Sequence, residues 1–429
     1  MKCTDMDQSK LTRITLTCVS ALIAGLIPAT AAQEAGATIE RAPENIFESE
    51  RDATLAKFLE AGPISIRPHL YADSYYDDNL TLDRSNKRED WVFRIAPGAL
   101  FGVGEFRGEK GNYVSLDYTM QGEIYTKYSE FNALDHYVIM NGGYKQSKLT
   151  LGLSQSYQID HGKNVEAGDM IEQEIFLTLF TSKYDISEKT SVELNGRQSF
   201  VSSEQQNLHG PNADLARINE WAVETWGNYK PTEKIMTGVG FTAGWRDIRT
   251  FDGNDSPNQS YQQLLVRGGY AVSEKVNIVG SGGFQISQFQ DGDDKGPNLI
   301  FALGGSYHPL ENTFLALEAY RQDVPSILYT GRNYDLTGGR FSVKQILLEK
   351  YSVSLATGYE YTDYTDVSSA TAANPDRSDN YFWIRPSADY TVNERWQIGV
   401  FYQYRTKSSS DDIFDYSNNQ VGLYTNYRF

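Results

Sequence analysis

Five histidines, His69, His136, His161, His209 and His308, are the side chains of this 429-residue chain best suited to proton transfer or metal ligation. Hydrolytic chemistry would need one of them within hydrogen-bond reach of a nucleophile. No serine nucleophile motif, P-loop, zinc-ligand spacing or dinucleotide fingerprint accompanies them. Each histidine therefore reads as a scattered polar residue, and no catalytic residue, cofactor or metal site is assigned. The acidic segments Asp252-Gly-Asn-Asp255, Asp291-Gly-Asp-Asp294 and Asp411-Asp412 could offer oxygens to calcium, but none completes a twelve-residue loop closed by Glu. Weak or no calcium binding is expected of them, with divalent bridging to lipopolysaccharide as the alternative.

A second set of charges alternates along strand-like segments: Arg67, Asp73, Arg94, Asp117, Glu123, Glu220, Glu224, Arg246, Arg267, Glu318, Arg340, Glu360, Arg385 and Asp389. If they line a pore in opposing rows they impose a transverse field on solutes. If they pair across neighbouring strands they hydrate the wall. The signs nearly balance, so ion selectivity is expected to be weak, with acidic loops favouring cations at the mouth.

The elements that must position these charges are strands. In Trp396-Gln-Ile-Gly-Val-Phe-Tyr-Gln-Tyr-Arg405, the set Trp396, Ile398, Val400, Tyr402 faces one way and Gln397, Gly399, Phe401, Gln403, Arg405 the other. Val114, Leu116, Tyr118 and Met120 separate from Ser115, Asp117, Thr119 and Gln121 in the same way. The segments 134–146 and 334–348 alternate poorly, and their faces stay unassigned.

Tight turns recur at Glu188-Lys189, Glu233-Lys234, Glu274-Lys275, Glu311-Asn312, Glu349-Lys350 and Glu394-Arg395, with gaps of 45, 41, 37, 38 and 45 residues. Glu109-Lys110 and Ser147-Lys148 extend the series. Eight short turns on one side imply nine polar loops on the other and 18 antiparallel strands, with 16 as the fallback. The expected fold is all-β: a transmembrane up-and-down barrel over residues 64–429, with short periplasmic turns and longer extracellular loops. Tyr 29, Phe 20 and Trp 6 suffice for interface girdles. A low apolar fraction of 40% fits too, since only alternate residues meet lipid. None of the loops is long enough to make a full plug.

Residues 1–32 read as a signal peptide, with Lys2, Lys10 and Arg13 ahead of an apolar stretch and an Ala-x-Ala site near Ala31. Both cysteines, Cys3 and Cys18, fall inside it, so the mature chain would hold no disulfide. Its removal takes three Lys/Arg and two Asp/Glu and brings the formal charge from −17 to −18. Such acidity excludes nucleic acid as a partner. Residues 33–63 form a separate periplasmic segment, either a short helix carrying Leu55, Phe58 and Leu59 on one face or a disordered leader. At the other end Val421, Leu423, Thr425, Tyr427 and Phe429 alternate up to an aromatic terminus, the pattern of a signal for the outer-membrane barrel assembly machinery.

At the first hairpin the chain reads Pro68-His-Leu-Tyr-Ala-Asp-Ser-Tyr-Tyr-Asp-Asp-Asn79, then Asp90-Trp-Val-Phe-Arg-Ile-Ala-Pro97-Gly98. Tyr76, Asp77, Asp78, Asn79 and Pro97 in this setting resemble the β-barrel porin family of type two. The resemblance implies an outer-membrane barrel of Gram-negative bacteria, linked in some members to exopolysaccharide production or export, and it carries no catalytic residue. From the residues themselves, Tyr75 and Tyr76 fit an outer girdle, while Asp77, Asp78 and Asn79 read as turn chemistry in preference to a cation or sugar contact. The expected function is a passive conduit, with a saccharide as the solute, in contact with outer-membrane lipid and lipopolysaccharide. A non-conducting scaffold of an exopolysaccharide or envelope assembly and a barrel hydrolase are the alternatives. The oligomeric state is not legible.

Overall fold

The computed structural model describes residues 59–106, 111–205, 215–249, 258–290, 295–329, 332–364 and 377–428. A short strand β1 (Leu59–Ala61) precedes β2 (Ile64–Asp77), β3 (Asp90–Gly104), β4 (Tyr113–Tyr125), β5 (Ala133–Gln146) and β6 (Leu149–Asn164). Then come β7 (Asp169–Asp185), β8 (Thr190–Gln205), β9 (Arg217–Thr232), β10 (Ile235–Arg249), β11 (Gln259–Ser273) and β12 (Val276–Phe289). The chain ends with β13 (Lys295–Tyr307), β14 (Thr313–Pro325), β15 (Asn333–Leu347), β16 (Tyr351–Asp363), β17 (Ser378–Asn393), β18 (Trp396–Ser409) and β19 (Tyr416–Arg428).

Each strand from β2 to β19 pairs antiparallel with its sequence neighbours, and β19 pairs with β2 from Gln420↔Asp77 to Arg428↔His69. The result is a closed barrel of 18 strands, which leaves no open sheet edge. Seven of the eight expected short turns link consecutive strands at one end. Glu109-Lys110 lies outside the described residues, although β3 and β4, which flank it, form a hairpin. Nine connections lie at the other end, the outer end by the usual barrel convention, and most of them are longer, although the β6–β7 connection has only four residues.

The pleat sorts side chains as alternation requires. On β18, Trp396 and Val400 are exposed outward while Phe401 and Arg405 are buried inward. On β5, Asp135 is buried inward and Leu134 exposed, which puts Tyr137 and Ile139 inside and His136 outside. An apolar Ile inside and a His outside explain why this strand alternates poorly in sequence.

Two expectations need correction. Leu59 does not extend a helix: it pairs with Ile66 in a hairpin turned at Gly62, whose φ of +65° suits glycine. There β1 covers the base of β2 below the end of β19, while Leu55 and Phe58 lie outside the described residues. Tyr75 is not a girdle residue. The strict pleat puts it opposite Tyr76, so it is 7% exposed and packs inside with Leu80, Val92, Tyr125 and Phe401. Only Tyr76 faces outward, against Trp91 at 5.8 Å, with its hydroxyl donating to Glu89 at 2.6 Å.

At the outer mouth no single loop forms a full plug, but short connections meet there. β14 pairs with β13 only from Arg321 downward, yet with β15 up to Pro325↔Asn333. The upper hairpin therefore leaves the wall and leans into the lumen. Its tip residue Ile327, fully buried, joins a cluster with Ala167 and Ile171 of the β6–β7 hairpin and with Leu215, Ile218 and Ile248 at β9 and β10. The β6–β7 and β14–β15 hairpins stand eight strands apart in the ring of 18, so this contact spans the barrel.

Candidate functional site

The lumen is a polar surface built from inward positions of all 18 strands, and most of its charges find partners on adjacent strands. Arg94 on β3 donates to Asp73 on β2 at 2.9 and 2.5 Å and lies 3.7 Å from Glu123 on β4. Glu123 also accepts from Gln121 at 2.9 Å and from Tyr125 at 3.0 Å. His69 Nε2 is 2.9 Å from Asp117 Oδ1, and the imidazole covers Gly98, where a Cβ would stand 2.2 Å from the ring. Glycine there makes room for the histidine. Arg67 lines the same cavity.

Across the barrel, Arg246 donates to Glu220 at 2.7 Å and reaches Asp323 on the inward-leaning hairpin at 3.2 Å. Arg197 also binds Glu220, and Tyr261 donates to it at 2.8 Å. Arg267 joins Glu193 at 2.7 Å and covers the Trp226 ring at 4.3 Å. Glu224 accepts from Asn195 at 3.0 Å. Arg340, cross-strand from Glu318, donates to Glu360 at 3.1 Å. Arg385 donates to Gln403 at 2.8 Å over the Phe401 ring, and Asp389 accepts from Ser352 at 3.1 Å. These contacts tie charges along the wall.

Cavities remain between these clusters. One of about 460 Å³ has Trp226, Thr242, Leu265, Arg267 and Ile300 in its wall. Another, about 470 Å³, is lined by Arg67, His69, Tyr71, Asp117, Arg385 and Arg405. Each has the size that holds a single small molecule.

The outer end is held by two clasps. In the first, Glu166 at the tip of the β6–β7 connection accepts from the Ser326 hydroxyl and, at 3.2 Å, from the Ile327 backbone N–H. Ala216 N–H donates to Ile327 O at 2.8 Å. From the far side Arg377 donates to Glu166 O at 3.0 Å and Lys407 to Val165 O at 2.6 Å. Burial raises the Glu166 carboxyl above the usual carboxylate range. In the second clasp, Asp77 accepts from Asn79 N–H at 2.9 Å, from Asn418 and Gln420 each at 2.7 Å, and from Lys163. Asp78 accepts from Asn419 N and Nδ2, both at 2.7 Å. Asn79 donates to Ser417 O at 3.0 Å. The Asp-Asp-Asn run therefore makes turn contacts and also locks the first strand to the last.

Pro97 is exposed on the outer surface, as are Val421, Leu423 and Tyr427; Thr425 is half-buried there and Phe429 lies outside the described residues. His161 sits between Asp135 at 2.7 Å and Glu172 at 3.1 Å, His136 stacks outward on Tyr118, and His308 meets the Phe314 ring at 5.0 Å. His209 and the acidic runs at 252–255 and 291–294 are outside the described residues. Asp411 instead caps a short turn, accepting from Ile413 N–H at 3.4 Å, and Asp412 pairs with Arg84 at 2.8 Å. Among the described residues no group of three or more His, Cys, Asp or Glu is placed to hold a metal ion. Sequence reading missed Arg197, Lys163, Glu166, Asp323, Arg377 and Lys407. Apart from Asp379, two residues from Arg377, the partners described above lie tens to hundreds of residues away, and no local pattern marks them.

A closed antiparallel ring with an apolar outside and a charged inside defines a transmembrane, porin-like β-barrel. No family model matches the chain, and no curated protein does. Among solved structures, OprD of Pseudomonas aeruginosa aligns over 88% of this chain and 98% of its own at 11% identity and a TM-score of 0.43. OpdQ of the same organism aligns over 86% and 99% at 11% identity, TM-score 0.43. The siderophore receptor PirA from P. aeruginosa aligns over 84% and 80% at 8% identity, TM-score 0.43.

Proposed function

We propose that this barrel is a passive conduit of the bacterial outer membrane for small polar solutes, delivered there through a cleaved signal peptide. One observation carries the reading: the lumen wall is polar and its charges are mutually tied, while two cavities of about 460 and 470 Å³ stay open between them. Such a wall stays wet and attracts neither ion sign strongly. A saccharide of one or two rings fits cavities of this size, and its hydroxyls would meet the amides and charges that line them. A polymer would first have to displace the β14–β15 hairpin. In this reading the barrel acts by passage alone, with no catalytic step.

The clasp at Glu166 favours a second reading, a non-conducting scaffold whose mouth stays shut. Single-channel recording in a planar bilayer, with neutral and charged oligosaccharides added in turn, separates the two. Stable openings that a saccharide blocks are the expected result. A folded barrel that never conducts would leave the scaffold.

A further inference from the structure

Every strand of the ring is paired on both sides, yet one seam is zipped only over its inner half. β13 and β14 pair from Tyr307↔Leu315 to Phe301↔Arg321 and no further. Above that point β13 runs on to Lys295 beside β12, while β14 runs on to Pro325 beside β15. Pro297, of a residue type that sheets confine to their edges, lies in the unzipped stretch. The parting is at membrane depth, because Leu299 and its outward cross-strand neighbours Phe284 and Leu264 are 49, 56 and 62% exposed beside it. Unpaired backbone is not tolerated against hydrocarbon unless protein or a polar passage covers it. Here polar side chains bridge the parting. Asn298 donates to Asp335 at 2.7 Å, and Arg321 donates to Asp335 at 2.9 Å and to Thr337 at 2.8 Å.

Behind the parting lies the cavity of about 460 Å³, whose wall includes Ile300 and Phe301 from one bank and Arg321 and Gln322 from the other. Its bed is apolar, with Trp226, Leu265 and Ile300 packed together and Val279 and Ala302 beside them. Three polar atoms interrupt that bed: Trp226 Nε1, Thr242 Oγ1 and Gln322 Oε1 are buried and have no hydrogen-bond partner among the described residues. The side chains that carry them belong to residues only 4, 5 and 7% exposed. Nearby charges are already engaged, Arg267 with Glu193 and Asp323 with Arg246. Such a surface suits one hydroxyl or carbonyl on an apolar body. A ring hydroxylated on every edge would leave hydroxyls unpaired against the bed.

We propose that the parting between β13 and β14 is a lateral portal, through which a small amphiphile, an apolar ring or chain with a single hydroxyl or carbonyl, passes between the outer leaflet and this cavity. The bridges from Asn298 and Arg321 are its latch: when they part, the slot opens without breaking any β13–β14 pair. A solute dissolved in lipid thereby reaches the lumen without crossing the clasped mouth. Capture through the portal stands apart from the conduit reading, and only onward passage rests on it.

In the test, barrels in lipid nanodiscs meet a diazirine-bearing hexylphenol dissolved in the lipid, and mass spectrometry maps the adducts after illumination. Adducts on Leu265 and Ile300, inside the wall, are expected. Stapling Asn298→Cys to Asp335→Cys with a short bis-methanethiosulfonate should cut them at least tenfold, reduction should restore them, and Asn298→Ala should raise them. Heat-modifiable mobility checks that each variant is folded. Maltose block in planar bilayers, which the staple should leave alone, reads the conduit separately: a barrel that never conducts yet takes up the label would sink the conduit and keep the portal. Adducts confined to lipid-facing residues such as Leu299 would overturn the portal. So would inner adducts that persist in the stapled barrel.

Discussion

Asp77 shows how much one carboxylate of a turn motif can hold. Its chemistry was legible as an Asx turn, and the bond from Asn79 N–H is that turn. Its other partners, Lys163, Asn418 and Gln420, belong to segments 86 to 343 residues away and leave no trace in the local sequence. Asp77→Ala strands a buried ammonium and should cost about 3–5 kcal/mol. Urea titration of the folded band on semi-native gels measures this, and a loss below about 1 kcal/mol would deny the clasp its role. Glu166 gives a pH prediction. Its carboxyl is raised when clasped, so the clasped state holds the proton more tightly than the released loop. The clasp is then strongest below the free Glu value of about 4.3 and weakens as pH rises through the raised value. Open probability should increase from acid towards neutral pH, and Glu166→Gln should flatten that dependence in the same bilayer recordings.

Strands and turns were the most readable features, because a period of two and a repeated tight turn are local properties. The eight turns fixed the count of 18, and the alternation of β18 and β4 assigned their faces before any contact was known. Reading stopped where a strand breaks its own pattern for a distant partner. β5 turns Ile139 inward, and the outer half of β14 abandons β13 so that Asp323 can reach Arg246. Tyr75 failed for a related reason, since two adjacent tyrosines cannot both face lipid on a pleated strand. The inward hairpin carries its own expectation. Ile327→Ala removes a fully buried side chain from a cluster fed by β7, β9 and β10 and should loosen the seat by about 2–5 kcal/mol. Larger or more frequent openings are the expected outcome. Unchanged conductance would mean that the hairpin does not limit flow.

The whole chain carries a formal charge of −17, while the lumen charges named above nearly balance in sign. Charges tied along the lumen wall select little, so any preference should arise at the mouth, where water and salt screen it. A reversal potential measured across a KCl gradient should favour cations modestly at 0.1 M and fade by 1 M, as the screening length drops from about 10 to about 3 Å. Persistent selectivity at high salt would place the filter deeper, among buried charges. The seam between β2 and β19 has one more implication, for how the chain is made. Its register joins residues 69–77 to residues 420–428, so the ring cannot shut until residues 420–428 have been made and have reached the first strand. Until then the first strand is an unprotected edge, the most aggregation-prone object a β-protein can offer. The chain therefore depends on escorts that shield that edge, and a nonsense codon anywhere before Tyr416 should yield insoluble or degraded material, never a smaller pore.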